Sequence, residues 1–156
     1  MFERYTENAQ EVLSHAMQEA IKLRHDHVGT EHILLGLIEV KDGAAADILR
    51  YRNIDLKRAK QEVQKLVAPG ASQDDEGYVA LPRTTHAHKL IDDAVEEARA
   101  LKQNYIGSEH LLLALLCEKE GCGAKILGNL GLKLDDVRQD VIRFVKCTKN
   151  AASRDN

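Results

Sequence analysis

Two threonine–glutamate pairs combine side chains that could bind a charged ligand. Thr6 and Glu31 recur as Thr84 and Glu109, at the same offset along the chain. Each threonine precedes a helical pattern, and each glutamate directly follows the predicted N-cap of the next helix. A helix N-terminus offers free N–H groups to a phosphate, whereas a carboxylate attracts a guanidinium. The pairs therefore suit a ligand that carries both groups, and we expect them to face outward.

Helix capping alone also explains these four residues. Threonine is a good N-cap, and an acid in the first turn complements the helix dipole. Both interpretations stay open at this point, because the sequence does not show whether Thr6 and Glu31 are close in space.

The histidines and cysteines favour structural roles. His32 and His110 lie in a first helical turn, where the dipole disfavours a cation, so each is predicted to be neutral and hydrogen-bonded. Two further pairs are spaced two apart, which on a helix separates the side chains and predicts exposed residues without a metal: His25/His27 and His86/His88. Cys117 falls on an apolar stripe and is predicted to be a small core residue.

The sequence carries no signature of a catalytic site. It contains no GxxxxGK[ST], HExxH or GxSxG motif, and the glycine-rich stretch at residues 121–125 lacks phosphate-loop spacing. We therefore predict no catalytic residues, no cofactor and no metal.

Composition and charge argue against some classes of partner and location. The formal net charge is -3 with both signs mixed, which argues against nucleic acid as a partner. No apolar run is long enough to span a membrane, and the charged start MFERYTENAQ does not resemble a signal peptide. Three cysteines without a CxxC motif indicate a reduced, intracellular protein, so we predict a cytoplasmic location.

The chain contains two copies of one sequence unit. VGTEHILLGLIEVKDGAAADIL begins at Val28 and IGSEHLLLALLCEKEGCGAKIL at Ile106, and the match runs without a gap from Thr6/Thr84 to Val67/Val145. The stretch between the copies holds both prolines and an acidic triplet, which is linker composition. We predict a first repeat at 1–67, a linker at 68–83, a second repeat at 84–146 and a polar tail at 147–156.

Helical periodicity fills each copy, and no segment shows a convincing strand pattern. The fold is therefore predicted to be all-α, with eight helices as two pseudo-twofold four-helix repeats. The predicted helices span residues 6–24, 30–42, 44–50, 55–67, 84–102, 108–118, 122–129 and 135–146.

These motifs resemble a known family. The opening FxRYTExAQxVL, both G[TS]EHxLLxL segments and both GxxAxIL turns resemble the N-terminal repeat domain (Clp-N) of Clp-type AAA+ protein unfoldases, and most closely its ClpC branch. The resemblance implies an eight-helix domain that docks substrates and adaptor proteins for a Clp ATPase, which feeds a ClpP-type protease.

The resemblance also implies residue roles. Glu31 and Glu109 would hold the guanidinium of a phosphorylated arginine, Thr6 and Thr84 its phosphate, and Phe2 would contact peptides or adaptors. Asn8 and His86 stand where the family commonly has arginine, which weakens phosphate binding.

Two interpretations of the whole chain follow. The leading one is a docking module, without catalytic activity and expected to be monomeric in isolation, that belongs to a longer unfoldase. The alternative is a stand-alone Clp-N accessory protein that modulates the Clp protease.

Overall fold

The computed structural model describes residues 4–66, 70, 81–118 and 121–154, apart from the side chains of residues 4, 122 and 145–154. These residues form eight helices and two short strands. In chain order they are β1 (Arg4–Tyr5), α1 (Glu7–Lys22), α2 (Thr30–Glu39), α3 (Ala44–Tyr51), α4 (Leu56–Leu66), α5 (Thr85–Ala100), β2 (Tyr105–Ile106), α6 (Ser108–Cys117), α7 (Cys122–Asn129) and α8 (Leu134–Arg154). The all-α prediction of two four-helix repeats is confirmed.

Several helix ends shift by one to three residues from the prediction, and two differences matter most. The N-cap of α2 is Gly29, so Thr30 is the first helical residue rather than the cap. Helix α8 continues to Arg154 instead of ending near Lys146. The segment predicted as a polar tail is therefore helical as far as Arg154. No proline or glycine interrupts it, so nothing in its backbone chemistry ends the helix.

Helices α2 and α6 form the centre of the domain. Both are apolar nearly all round, and such a helix is stable only when neighbours cover every side. In α6 every residue from Ser108 to Leu116 is buried. Helix α1 packs on α2 and α5 on α6, and α2 and α6 also contact each other. The two repeats thus share one apolar core.

The short strands join the two repeats. β1 pairs with β2 in parallel, with Arg4 opposite Tyr105 and Tyr5 opposite Ile106. A second bridge, Val28 with Arg83, repeats the pairing at the corresponding place in the other half. Strands of two residues are too short for alternation to reveal, which is why the sequence pattern did not predict them.

An ion pair between Arg52 and Asp140 links α3 and α8 across the repeats. Two guanidinium nitrogens of Arg52 donate to the two carboxylate oxygens of Asp140 at 2.7 and 2.8 Å. The Asp140 side chain is only 6% exposed, whereas that of Arg52 is 31% exposed.

No helix in the described part of the chain has both the length and the apolar character needed to cross a bilayer.

We expect Arg52→Ala to lower the midpoint of urea unfolding more than Arg50→Ala does. Removal of Arg52 leaves a buried carboxylate without its partner, which is strongly destabilising. Arg50 makes a comparable ion pair with Asp47, but both side chains are more than half exposed, and such pairs contribute little. Equal shifts of the two midpoints would mean that the inter-repeat pair does not stabilise the domain.

Candidate functional site

Thr6 and Thr84 cap the two long helices as predicted. Each hydroxyl oxygen accepts a hydrogen bond from the backbone N–H three residues later, Ala9 or Ala87, at 3.1 Å. A hydroxyl can accept and donate at once. Each threonine therefore keeps its own O–H for a ligand while it holds the helix start in place.

The start of each long helix is hydrogen-bonded to the other repeat. The N–H of Thr6 donates to the carbonyl of Ile106, which precedes α6, and the N–H of Thr84 donates to the carbonyl of Val28, which precedes α2, both at 2.9 Å. The backbone thus links Thr6 to the segment that leads into Glu109, in the other repeat. It likewise links Thr84 to the segment that leads into Glu31. The order of the repeats in the sequence does not reveal that each threonine is linked to the other repeat.

A third helix start joins α1 and α6. The N–H of Ala45, in the first turn of α3, donates to the hydroxyl of Ser108 at 3.1 Å. Asn8 packs on Gly43, the N-cap of α3, with its amide nitrogen 2.7 Å from where a Cβ on that glycine would stand. Three helix N-termini therefore meet here. We call this group the Thr6 site, made of Thr6, Asn8, Gly43, Ser108 and Glu109.

The corresponding group in the other half gathers the starts of α5, α2 and α7. A Cβ on Gly121, the N-cap of α7, would lie 3.4 Å from the hydroxyl of Thr30 and 3.2 Å from Cγ of Glu118. Glu118 in turn lies beside His86 in the first turn of α5. We call this group the Thr84 site, made of Thr84, His86, Thr30, Glu31, Glu118 and Gly121.

The buried histidines fix the starts of α2 and α6. Nδ1 of His32 accepts the N–H of Gly29 at 2.8 Å, and Nδ1 of His110 accepts that of Gly107 at 2.9 Å. The neutral ring then carries its proton on Nε2, which faces Nδ1 of His25 in the first half and the side-chain oxygen of Gln103 in the second. Burial lowers the pKa of both His32 and His110 to about 4. The predicted neutral, structural role of these two histidines agrees with this geometry.

Each site glutamate folds back over the glycine that caps its helix. The carboxylate of Glu31 occupies the space where a Cβ on Gly29 would stand, and that of Glu109 does the same at Gly107. Both glycines have ordinary negative φ angles, so the need for glycine is steric. A side chain at either position would push the carboxylate out of its site.

The two glutamates differ in exposure. The side chain of Glu31 is 20% exposed, whereas Glu109 is buried, and its Oε1 has no hydrogen-bond partner among the described residues. Burial raises the pKa of Glu109 to about 7. The expectation that both acids face outward is therefore wrong for Glu109, because α6 is enclosed by its neighbours.

Glu118 is a candidate that the sequence analysis missed. It is the C-cap residue of α6 and is buried, with Oε1 3.6 Å from Nδ1 of His86 and Oε2 3.9 Å from Nζ of Lys89. Its Oε2 has no hydrogen-bond partner among the described residues. An acid at a position where the other copy has an apolar residue was the signal that could have identified it, since Val40 occupies that position.

The two histidine pairs that the sequence predicted to be exposed differ in their surroundings. His86 and His88 are exposed, as predicted. His27 is 45% exposed, whereas His25 is half-buried. Both lie in the loop after α1 rather than on a helix, and there His25 contacts His32 and stacks on His27. Within the described residues, no three potential ligands are arranged to hold a metal ion. Phe2 lies outside the described residues.

Cys117 is half-buried between two charged side chains. Its Sγ lies 3.6 Å from a carboxylate oxygen of Glu97 and 3.7 Å from a guanidinium nitrogen of Arg138. Burial, with the nearby Glu97, raises the pKa of the thiol. A thiol that keeps its proton is a poor nucleophile, which is consistent with the predicted structural role.

A groove of about 310 Å³ lies where α3 of the first repeat meets α8 of the second. Its walls are mostly apolar, with charged groups at the edge: Asp47, Ile48, Tyr51, Asp140, Arg143 and Phe144. Tyr51 is 68% exposed, which is high for a large aromatic side chain. Exposed aromatic and apolar surface bordered by charge is typical of protein-binding surfaces.

These features define a duplicated helical domain with two related charged sites and an apolar groove. The family model of the Clp repeat (R) N-terminal domain matches the chain twice, over residues 4–86 and 82–155. The chain therefore belongs to this family, whose domain is a docking module of Clp ATPases rather than a catalytic one.

Relatives and solved structures agree with this membership. The chain is 48% identical over 147 residues to the chloroplastic chaperone protein ClpC1 of Arabidopsis thaliana, covering 93% of this chain and 15% of that protein. It is 45% identical over 155 residues to a ClpA homolog, an ATP-dependent Clp protease ATP-binding subunit of Guillardia theta, covering 98% and 18%. The chain thus spans less than a fifth of the length of these relatives.

Two solved structures share the fold. The N-terminal domain of the chaperone ClpD from Arabidopsis thaliana superposes with a TM-score of 0.68 at 23% identity, covering 92% of this chain and 95% of that one. The Hsp104 N-terminal domain from Candida albicans gives a TM-score of 0.73 at 19% identity, covering 91% of each chain.

Proposed function

We propose that this domain captures proteins marked by arginine phosphorylation and passes them to a Clp ATPase that works with a ClpP-type protease. The observation that carries the proposal is the placement of a carboxylate beside converging helix N-termini, once in each half of the domain. The helix starts supply N–H groups and positive potential for a phosphoryl group. The carboxylate supplies paired acceptors for a guanidinium.

The ligand groups are assigned to residues by charge. Glu31 and Glu109 accept N–H groups of the guanidinium, and the hydroxyls of Thr6 and Thr84 donate to phosphoryl oxygens. Glu109 loses its proton when a guanidinium binds, because an adjacent cation favours the ionised form. Binding at that glutamate is therefore stronger at pH 8 than at pH 6.

Adaptor proteins are the second class of partner. The groove between α3 and α8 supports this proposal, since the exposed ring of Tyr51 offers an aromatic anchor of the kind that protein interfaces use. Phe2 contributes a further aromatic contact, as the family resemblance implies. Tethering such sites to an unfoldase raises the local concentration of its substrates. We place the protein in the cytoplasm, or in the chloroplast if it shares the location named for its relatives.

Calorimetric titration with arginine phosphate at pH 8 tests the proposal. We expect the wild-type chain to bind and the double variant Glu31→Ala/Glu109→Ala to give no heat above dilution. Glu96→Ala serves as the matched control, since the Glu96 side chain is 68% exposed and pairs with Arg99 of the same helix. Circular dichroism checks that all three proteins are folded. Equal heats for the wild type and the double variant, or no heat for either, would contradict the proposal.

A further inference from the structure

The two sites differ in charge at three corresponding positions. Repeat alignment pairs each residue of one site with its counterpart in the other: Asn8 with His86, Glu11 with Lys89, and Val40 with Glu118. At these positions the Thr84 site has two basic side chains and a buried acid, where the Thr6 site has an amide, an acid and a valine.

His86, Lys89 and Glu118 form one cluster at the Thr84 site. The Glu118 carboxylate lies at its base, and the exposed side chains of His86 and Lys89 lie above it. At 3.9 Å, the Nζ of Lys89 does not make a hydrogen bond to Glu118. This side chain is 66% exposed, so it can turn to an incoming anion at little cost.

The base of the cluster retains an unused acceptor. Oε2 of Glu118 is buried and has no hydrogen-bond partner among the described residues, which is costly unless a ligand supplies a donor. Thr30, the neighbour of Glu31, contacts the same Gly121 as Glu118 does. The start of α2, which carries Glu31, and the side chain of Glu118 therefore both lie next to Gly121.

The Thr6 site has an unpaired buried acceptor of its own among the described residues, Oε1 of Glu109, but it lacks the basic side chains of the Thr84 cluster. Asn8 is packed on Gly43, and Val40 is buried in the core. Glu11 is exposed on α1, at the position that corresponds to Lys89 on α5. An acid in place of Lys89 repels a phosphoryl group, and a valine in place of Glu118 accepts nothing.

We propose that the two sites are not equivalent, and that arginine phosphate binds at the Thr84 site, with Lys89 contacting the phosphoryl group and Glu118 joining Glu31 on the guanidinium. This inference rests on the proposed function and narrows it to one site per chain. Lys89 and Glu118 are then the residues that determine specificity.

Titration calorimetry with arginine phosphate, combined with charge exchange between the repeats, tests this inference. We expect one ligand per chain, and about tenfold weaker binding in Lys89→Glu, in line with the loss of a charge-assisted hydrogen bond and the gain of repulsion. Glu11→Lys is the matched reciprocal change, and we expect it to raise the stoichiometry towards two. Residues 11 and 89 are both exposed on helices, so both variants should fold.

Amide NMR shifts separate the two sites. The N–H groups of Ala87 and Ala9, which donate to the capping threonines, report on the Thr84 and Thr6 sites respectively. We expect the ligand to shift the Ala87 signal and leave Ala9 unchanged in the wild type. Two equal sites that are both lost in Glu31→Ala/Glu109→Ala would overturn this inference and support the proposed function. No binding by the wild type would overturn both.

Discussion

Replacing Gly36 with alanine is expected to destabilise the domain by about 1–3 kcal/mol, the usual cost of overpacking a core. Helix α2 crosses α1 at this residue. A Cβ here would lie 2.3 Å from the backbone carbonyl oxygen of Val12 and 3.3 Å from the backbone nitrogen of Ala16. Backbone atoms cannot turn away as a flexible side chain does, so the two helices must separate. That separation weakens the packing along the whole crossing.

Gly128→Ala provides the control for this prediction. Gly128 also lies within a helix, but a Cβ there would meet nothing within 4 Å. Alanine should therefore stabilise α7 by about 0.5–1 kcal/mol through its higher helix propensity. Urea unfolding, followed by circular dichroism, measures both changes. A Gly36→Ala protein as stable as the wild type would show that the crossing of α1 and α2 has room for a methyl group.

Acidification from pH 6.5 to 4 is expected to reduce the free energy of unfolding by a net amount on the order of 3 kcal/mol. His32 and His110 have pKa values near 4 in the fold, against an ordinary value of 6.5. Between these values the unfolded chain binds more protons than the folded one, so stability falls as the pH falls. Each histidine contributes roughly 3 kcal/mol at one pKa unit per 1.36 kcal/mol.

Glu109 opposes the two histidines. Its pKa is about 7 in the fold and ordinarily 4.5, so the folded chain binds more protons in this range. The stabilisation from its neutral form is fully present below pH 4.5 and is lost as the pH rises through 7. One glutamate offsets about one histidine, which leaves the net loss on acidification.

His110→Asn tests the assignment. The asparagine oxygen can take the place of Nδ1 and accept the N–H of Gly107, but the amide does not titrate. We expect the pH dependence of unfolding to flatten, whereas the control His88→Asn, at an exposed position, should leave it unchanged. Glu109→Gln should steepen the loss in acid. Urea unfolding at pH 7.5, 6 and 5 gives all three slopes, and a wild-type slope in His110→Asn would contradict the assignment.

Local patterns in the sequence determined the helices and the duplication. The motifs around Val28 and Ile106 predicted the starts of α2 and α6 to within a residue, because capping and periodicity depend on residues only a few positions apart. Their nearly continuous apolar character also fits their central position, since such helices need neighbours on all sides.

Local sequence patterns did not predict the length of α8 or the arrangement of the histidines in the loop after α1. Polar composition predicted an end near Lys146, but polar residues with good helix propensity continue a helix unless a breaker intervenes. Spacing on a helix predicted that His25 and His27 would be separate. A loop brings them together, because its backbone follows no fixed period.

Only the tertiary structure decided how the sites are assembled. The sequence nominated Thr6, Glu31, Thr84 and Glu109, yet the backbone joins Thr6 to the segment before α6 and Thr84 to the segment before α2. The burial of Glu109 and the cluster around Glu118 were equally hidden. These features depend on contacts between residues far apart in the chain, and neither periodicity nor capping chemistry specifies which helix starts will meet once the two repeats share a core.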